Sequence, residues 1–131
     1  MLKTKCIKKE RCLADGLRIS VMSRHTLSDG KTPDPDITQE SFAEWRKELA
    51  PPPKLVGSWY RGEITWNEFE NRYREYLADS AVHKVVLQLI ASAQKNDVTI
   101  MCVEPTPENC HRRLLAEYCQ KIEPSLEIEI N

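Results

Sequence analysis

Val98-Thr99-Ile100-Met101-Cys102-Val103 is the stretch that decides the fold. It is apolar almost throughout, as a strand covered on both faces of a parallel sheet would be. The residues after it set the frame. Thr106 suits a helix N-cap and Pro107 the first helical position, where its missing N–H costs nothing. That helix is expected to run to about Ile122, with Leu114, Leu115, Tyr118, Cys119 and Ile122 facing inward, and to stop at Pro124. Leu126-Glu127-Ile128-Glu129-Ile130 then alternates strictly and predicts a strand nearer a sheet edge. Strand, helix and strand of these lengths predict a parallel pair with a right-handed crossover.

Working outward, Leu17-Arg18-Ile19-Ser20-Val21 alternates apolar with polar, is extended by Met22, and comes after the turn signal Asp15-Gly16. A first strand is expected around Lys3 to Ile7. Four or five helices lie between the strands. Thr38 to Leu49 places Phe42, Trp45 and Leu49 at helical spacing, and a short turn is expected around Leu55 to Tyr60, after Pro51 to Pro53. Thr65-Trp66-Asn67-Glu68 is a capping box opening a helix with the stripe Trp66, Phe69, Tyr73, Tyr76 and Leu77. Ser80 can cap the next, whose Val82, Val86, Leu89, Ile90 and Ala93 share a face. His25 to Asp36 is a polar loop. The whole predicts one α/β domain over residues 1–131, a small mostly parallel sheet flanked by helices, three-layered and Rossmann-like.

Composition narrows the function classes. A chain of 131 residues supports one modest core. Its 19 basic and 20 acidic residues lack the basic excess of non-specific nucleic-acid binders. A nucleic-acid partner is therefore not the expectation, although a local basic patch can hide in a neutral total. No apolar run reaches the roughly 20 residues of a membrane helix. The start, Met1-Leu2-Lys3-Thr4-Lys5, lacks a secretory apolar stretch, so a cytoplasmic location is expected. Five scattered cysteines predict free thiols. Cys6, Cys12 and Cys119 are expected to be buried as small apolar residues.

In open parallel sheets, ligands collect outside the carboxyl ends of the strands. Ser23-Arg24-His25 and Cys102-Val103-Glu104-Pro105-Thr106 both arrive there if their strands are parallel neighbours. The helix start adds Cys110-His111-Arg112-Arg113, whose unpaired N–H groups favour an anion. Arg24 and Arg112 can offer bidentate forks to phosphate or carboxylate. Equally, Arg112 can simply pair with Glu104 or Glu108, and Arg113 is expected to be solvated. A thiol in a first helical turn can act as a nucleophile or redox group. Adjacent helical residues point about 100° apart, so His111 suits Cys102 better than Cys110 as a base. Cys102 and Cys110 can also pair reversibly. Tyr60, beside the turn at Gly62, is a candidate pocket wall.

Cys102, Cys110, His111 and Glu104 could in principle meet at a metal, but no Cys-x-x-Cys or spaced His pair occurs, so no metal is expected. Four glycines without a Walker or dinucleotide fingerprint give no cofactor. The Cys-x₅-Arg loop of tyrosine phosphatases is absent too, since position 108 is Glu.

These residues resemble the domain of unknown function 488 family from Asp15 to about Cys119. Asp15-Gly16-Leu17-Arg18-Ile19 resembles its opening strand. Trp45 to Pro51 resembles its tryptophan helix and proline exit, and Ile64 to Phe69 with Arg72-Tyr73 its central helix. Cys102-Val103-Glu104 and then Cys110-His111-Arg112 resemble its signature, Cys-x-Glu then Cys-His-Arg. Ser23 to Gly30 differs from the Asp-Arg-Leu-Trp-Pro-Arg-Gly common in the family, with Arg24 alone kept in place. The resemblance implies a three-layer α/β fold and no established activity.

The first expectation is therefore a pocket for a small anionic or phosphate-bearing ligand, built from Arg24, His25, Tyr60, Glu104 and Arg112 around Cys102, Cys110 and His111. The alternatives are a thiol-dependent enzyme or redox protein using Cys102 or Cys110, and an accessory nucleic-acid or protein interaction module whose signature is structural. The sequence leaves oligomeric state open.

Overall fold

The computed structural model describes residues 1–131. Five parallel strands form one sheet: β1 (Leu2–Cys6), β2 (Leu17–Ser20), β3 (Glu44–Trp45), β4 (Val98–Cys102) and β5 (Ile128–Glu129), in the order β3-β2-β4-β1-β5. Helices α1 (Pro53–Tyr60), α2 (Trp66–Ala78), α3 (Ser80–Lys95) and α4 (His111–Ile122) flank it in an α/β fold consistent with three layers. Every residue of β4 is buried, as its apolar run predicts for the central strand.

Strand alternation produces two unlike faces. Leu2, Ile19, Val98 and Ile100 join the main apolar cluster with Phe69, Tyr73 and Leu77 of α2, Val86 and Leu89 of α3 and Leu115 of α4. Towards the start of β2 and β4 the opposite positions are polar. Arg18 Nη1 donates to Asp15 Oδ2 at 2.6 Å and its Nε to the Ser41 carbonyl at 2.8 Å, while Thr99 Oγ1 donates to the Asp15 carbonyl at 2.6 Å. Lys5 Nζ lies 3.0 Å from both Asp15 oxygens. Buried charge survives here because each member has a partner. Gly16 enters β2 at φ +62°, with the Asp97 carbonyl where a Cβ would sit; no other residue satisfies both demands.

The capping box of α2 is formed: the Glu68 N–H donates to Thr65 Oγ1 at 3.1 Å. Helix α3 buries the five residues its stripe predicts. Its cap is Asp79, which accepts from the Ala81 N–H, and Ser80 is the first helical residue instead.

Four expectations fail. Residues 38–49 form no α-helix: Glu44–Trp45 pairs with Ile19–Ser20 as an edge strand, and Lys47–Leu49 is a 3-10 turn. Trp45 is largely exposed and its indole N–H donates to the Met22 carbonyl at 2.7 Å. Tertiary hydrogen bonding has overridden a spacing that looked helical. The expected turn at Leu55–Tyr60 belongs to a full helix, with Pro53 in its first turn. The last helix starts at His111, with Cys110 as N-cap, five residues after Thr106. Finally, β4 and β5 are not adjacent, because β1 lies between them and pairs with both.

Candidate functional site

The sheet order places a topological switch point between β2 and β4. The chain leaving β2 turns outward to β3, whereas the chain leaving β4 passes through α4 to β5 beyond β1. Neighbouring strands whose exits diverge leave a gap at their carboxyl ends. Val21 comes directly after β2, Cys102 ends β4, and His111 spans the two.

His111 Nε2 lies 2.7 Å from the Val21 carbonyl oxygen. A carbonyl only accepts, so Nε2 carries the proton and the neutral ring has its lone pair on Nδ1. Nδ1 faces Cys102 Sγ at 3.6 Å. Tyr73 packs edge-on against the imidazole, with ring centroids 5.8 Å apart, and its buried hydroxyl donates to the Leu49 carbonyl at 2.6 Å. Ring orientation and tautomer are thus fixed from two sides.

Cys110 completes the group. It is buried in the small apolar cluster that also holds Cys102 and Met101. The donor atoms of Cys102, Cys110 and His111 lie within 4.8 Å of one another. The Cys110 thiol draws the Cys102 thiol below its ordinary pKa against the opposing effect of burial, helped by the main-chain N–H groups of Glu104 and Val103 and the Arg112 charge. Burial and the neighbouring Cys102 push Cys110 far the other way. A thiol pair of unequal acidity beside an imidazole can support nucleophilic, redox or soft-metal chemistry.

Arg112 is occupied elsewhere, and Arg24 is exposed on its own loop. Arg112 is fully buried. Its Nη1 donates to the Glu104 carbonyl at 2.8 Å, and its Nε and Nη2 reach the Asn131 carbonyl at 3.3 and 3.2 Å. Neither Glu104 nor Glu108 offers it a carboxylate oxygen, so the expected side-chain brace is a main-chain one. Arg24 folds over its own loop, where a Cβ on Gly30 would come within 2.6 Å of the guanidinium. Arg113 is not solvated: it bonds to the Pro107 and Glu108 carbonyls, Glu117 and Glu70.

His25 lies over the end of β2. It is 2.7 Å from Ser20 Oγ, with Phe42 and Trp45 stacked about it at centroid distances of 4.8 and 4.2 Å, and burial lowers its pKa. Tyr60 is exposed and its hydroxyl donates to Glu104 Oε1 at 2.6 Å. Partial desolvation, the Glu104 bond and the two nearby thiols raise its pKa. Glu104 therefore points at Tyr60 and stays out of the thiol group. Cys6 and Cys119 are buried as expected, with burial pushing Cys119 up to about 12, but Cys12 is exposed; all five cysteines are free. Sequence reasoning missed Val21, whose contribution is a carbonyl that no side-chain pattern reveals. It also missed Tyr73 as a wall of the site, reading it only as helix stripe.

Residues 2–123 match the family described as the active DUF488-N3 subclade. The chain belongs to the domain of unknown function 488 family. No curated protein and no solved structure matches it. In this DUF488 domain the Cys-x-Glu and Cys-His-Arg segments occupy one corner of the fold, the first ending β4 and the second opening α4. No helix is long and apolar enough to cross a membrane.

Proposed function

We propose that this DUF488 domain is a thiol-dependent enzyme with Cys102 as nucleophile and His111 as its base. One observation carries the reading: His111 Nε2–H is held by the Val21 carbonyl at 2.7 Å, leaving Nδ1 aimed at Cys102 Sγ, 3.6 Å away. A nucleophile beside a base that a third group orients is the general arrangement of covalent catalysis. In the reaction, Nδ1 takes the thiol proton as Sγ bonds to an electrophilic centre of the substrate. The imidazolium returns that proton to the leaving group. Water or an acceptor then releases the product from sulfur. The description of the matched subclade as active agrees with a catalytic role.

The test is iodoacetamide labelling mapped by mass spectrometry at neutral pH. Cys102 is expected to react faster than free cysteine and far faster than Cys119. Labelling of Cys102 no faster than that of Cys119 would overturn the proposal.

A pocket for a small anionic or phosphate-bearing ligand draws less support. It needs two guanidinium forks at one place, yet Arg112 donates to main-chain carbonyls, which leaves Arg24 alone. The interaction-module reading has no specific observation in its favour, and the near-neutral charge offers nothing to a nucleic acid.

A further inference from the structure

We infer that Cys102 Sγ, Cys110 Sγ and His111 Nδ1 form a binding site for a zinc-class divalent ion, and that its occupancy weakens the thiol as a nucleophile. The consequence for reactivity rests on the enzyme reading above; the binding itself does not.

Three observations converge. First, two thiols and an imidazole are a soft donor set that selects zinc-class ions over magnesium or calcium. Their donor atoms already lie within 4.8 Å of one another. Second, one donor pair already has the spacing of a bound ion, and the third donor needs only a small approach. Zinc–sulfur and zinc–nitrogen bonds of about 2.3 and 2.0–2.1 Å at a tetrahedral angle put S and N about 3.5 Å apart. Cys102 Sγ and His111 Nδ1 are 3.6 Å apart. Third, His111 has the support that metal-bound histidines usually have: its other ring N–H is donated to a main-chain carbonyl, that of Val21. The sequence offered these donors with Glu104 but without a recognisable zinc spacing, and they meet across the β4–α4 loop.

Charge and protons balance. Each thiol still protonated gives its proton to solvent, while His111 keeps the Nε2 proton and offers the Nδ1 lone pair. Two thiolates offset a divalent charge, so the ion adds no net positive charge beside buried Arg112. Glu104 is turned to Tyr60 and is not a donor. Three protein donors leave a tetrahedral ion one position for water or substrate. While the metal is bound, it draws charge from the Cys102 sulfur and occupies the Nδ1 lone pair, so the nucleophile is weakened and the base is lost.

The probe is Co²⁺ added to the reduced full chain, read as thiolate-to-metal charge-transfer absorption, with Zn²⁺ as competitor. One ion per chain is expected to give the band, and zinc to abolish it. One equivalent of Zn²⁺ should slow labelling of Cys102 about tenfold or more, and EDTA should restore it. Cys110→Ser should lose most of the band, and zinc should no longer change the variant's own rate of Cys102 labelling, whatever that rate is. If that variant does not fold by circular dichroism, the wild-type arms decide alone. No charge-transfer band in the wild type, or labelling indifferent to zinc where Cys102 is otherwise reactive, overturns the inference. A cobalt band together with a Cys102 no more reactive than Cys119 would sink the enzyme reading and leave the metal site standing.

Discussion

His111 reaches across 90 residues of sequence to give its Nε2 proton to the carbonyl of Val21. That hydrogen bond decides which ring nitrogen meets Cys102. His111→Asn removes the Nδ1 base, and labelling of Cys102 at neutral pH should fall by about 100-fold, the low end of what a positioned base contributes. Cys119 serves as internal control. Equal labelling of Cys102 in the two proteins would assign His111 to structure alone.

Arg112 makes three hydrogen bonds to two carbonyls on separate segments. A lysine in its place has one nitrogen and cannot span both. Arg112→Lys should leave buried acceptors unpaired and cost about 2–4 kcal/mol in a urea titration. Wild-type stability in this variant would mean that the buried fork contributes little.

The Asp15 carboxyl predicts an acid limb in the stability curve. Burial alone would raise its pKa, but the Cys12 N–H, Lys5, the Cys12 thiol and Arg18 together hold it well below the ordinary carboxylate range. A carboxyl with a lower pKa folded than unfolded contributes stability above its unfolded value, near 4, and loses it as pH falls toward the folded one. Asp15→Asn should cost about 3 kcal/mol at pH 7. The gap from wild type should narrow below about pH 4. Thermal melts of both proteins from neutral to acid pH check this; a gap independent of pH would refute it.

Thr65 closes the capping box of α2 without touching the site. Thr65→Ala should cost about 1 kcal/mol. That corresponds to a Tm lower by roughly 3–5 °C, with Cys102 labelling unchanged. A changed labelling rate would show that α2, through Tyr73, transmits strain to His111.

Legibility tracked the range of the interactions involved. Helices α2 and α3 were readable because their period and the Thr65–Glu68 box act within a few residues. Phe42, Trp45 and Leu49 misled because their spacing also fits an edge strand with a turn after it, and what decides is pairing with Ile19 and Ser20, more than twenty residues away. Thr106-Pro107 carried a genuine start signal. It lost because loop carbonyls at Glu104, Pro107 and Glu108 are bonded by Arg112 and Arg113, which holds residues 103–110 out of helix. Of the site, the sequence offered His111 as a base able to serve Cys102, and it is the course of residues 103–110 that brings the two within 3.6 Å. The fate of Arg24 was not legible, because it depends on the turn at Gly30.

The position of β1 carries a consequence for biogenesis. It is the earliest of the five strands to be synthesised, yet its neighbours β4 and β5 come more than ninety residues later. At roughly 5–20 residues per second the ribosome leaves it without a partner for about 5–20 seconds. The corner holding Cys102 and His111 cannot assemble during that interval, because both residues belong to β4 and α4, which emerge late.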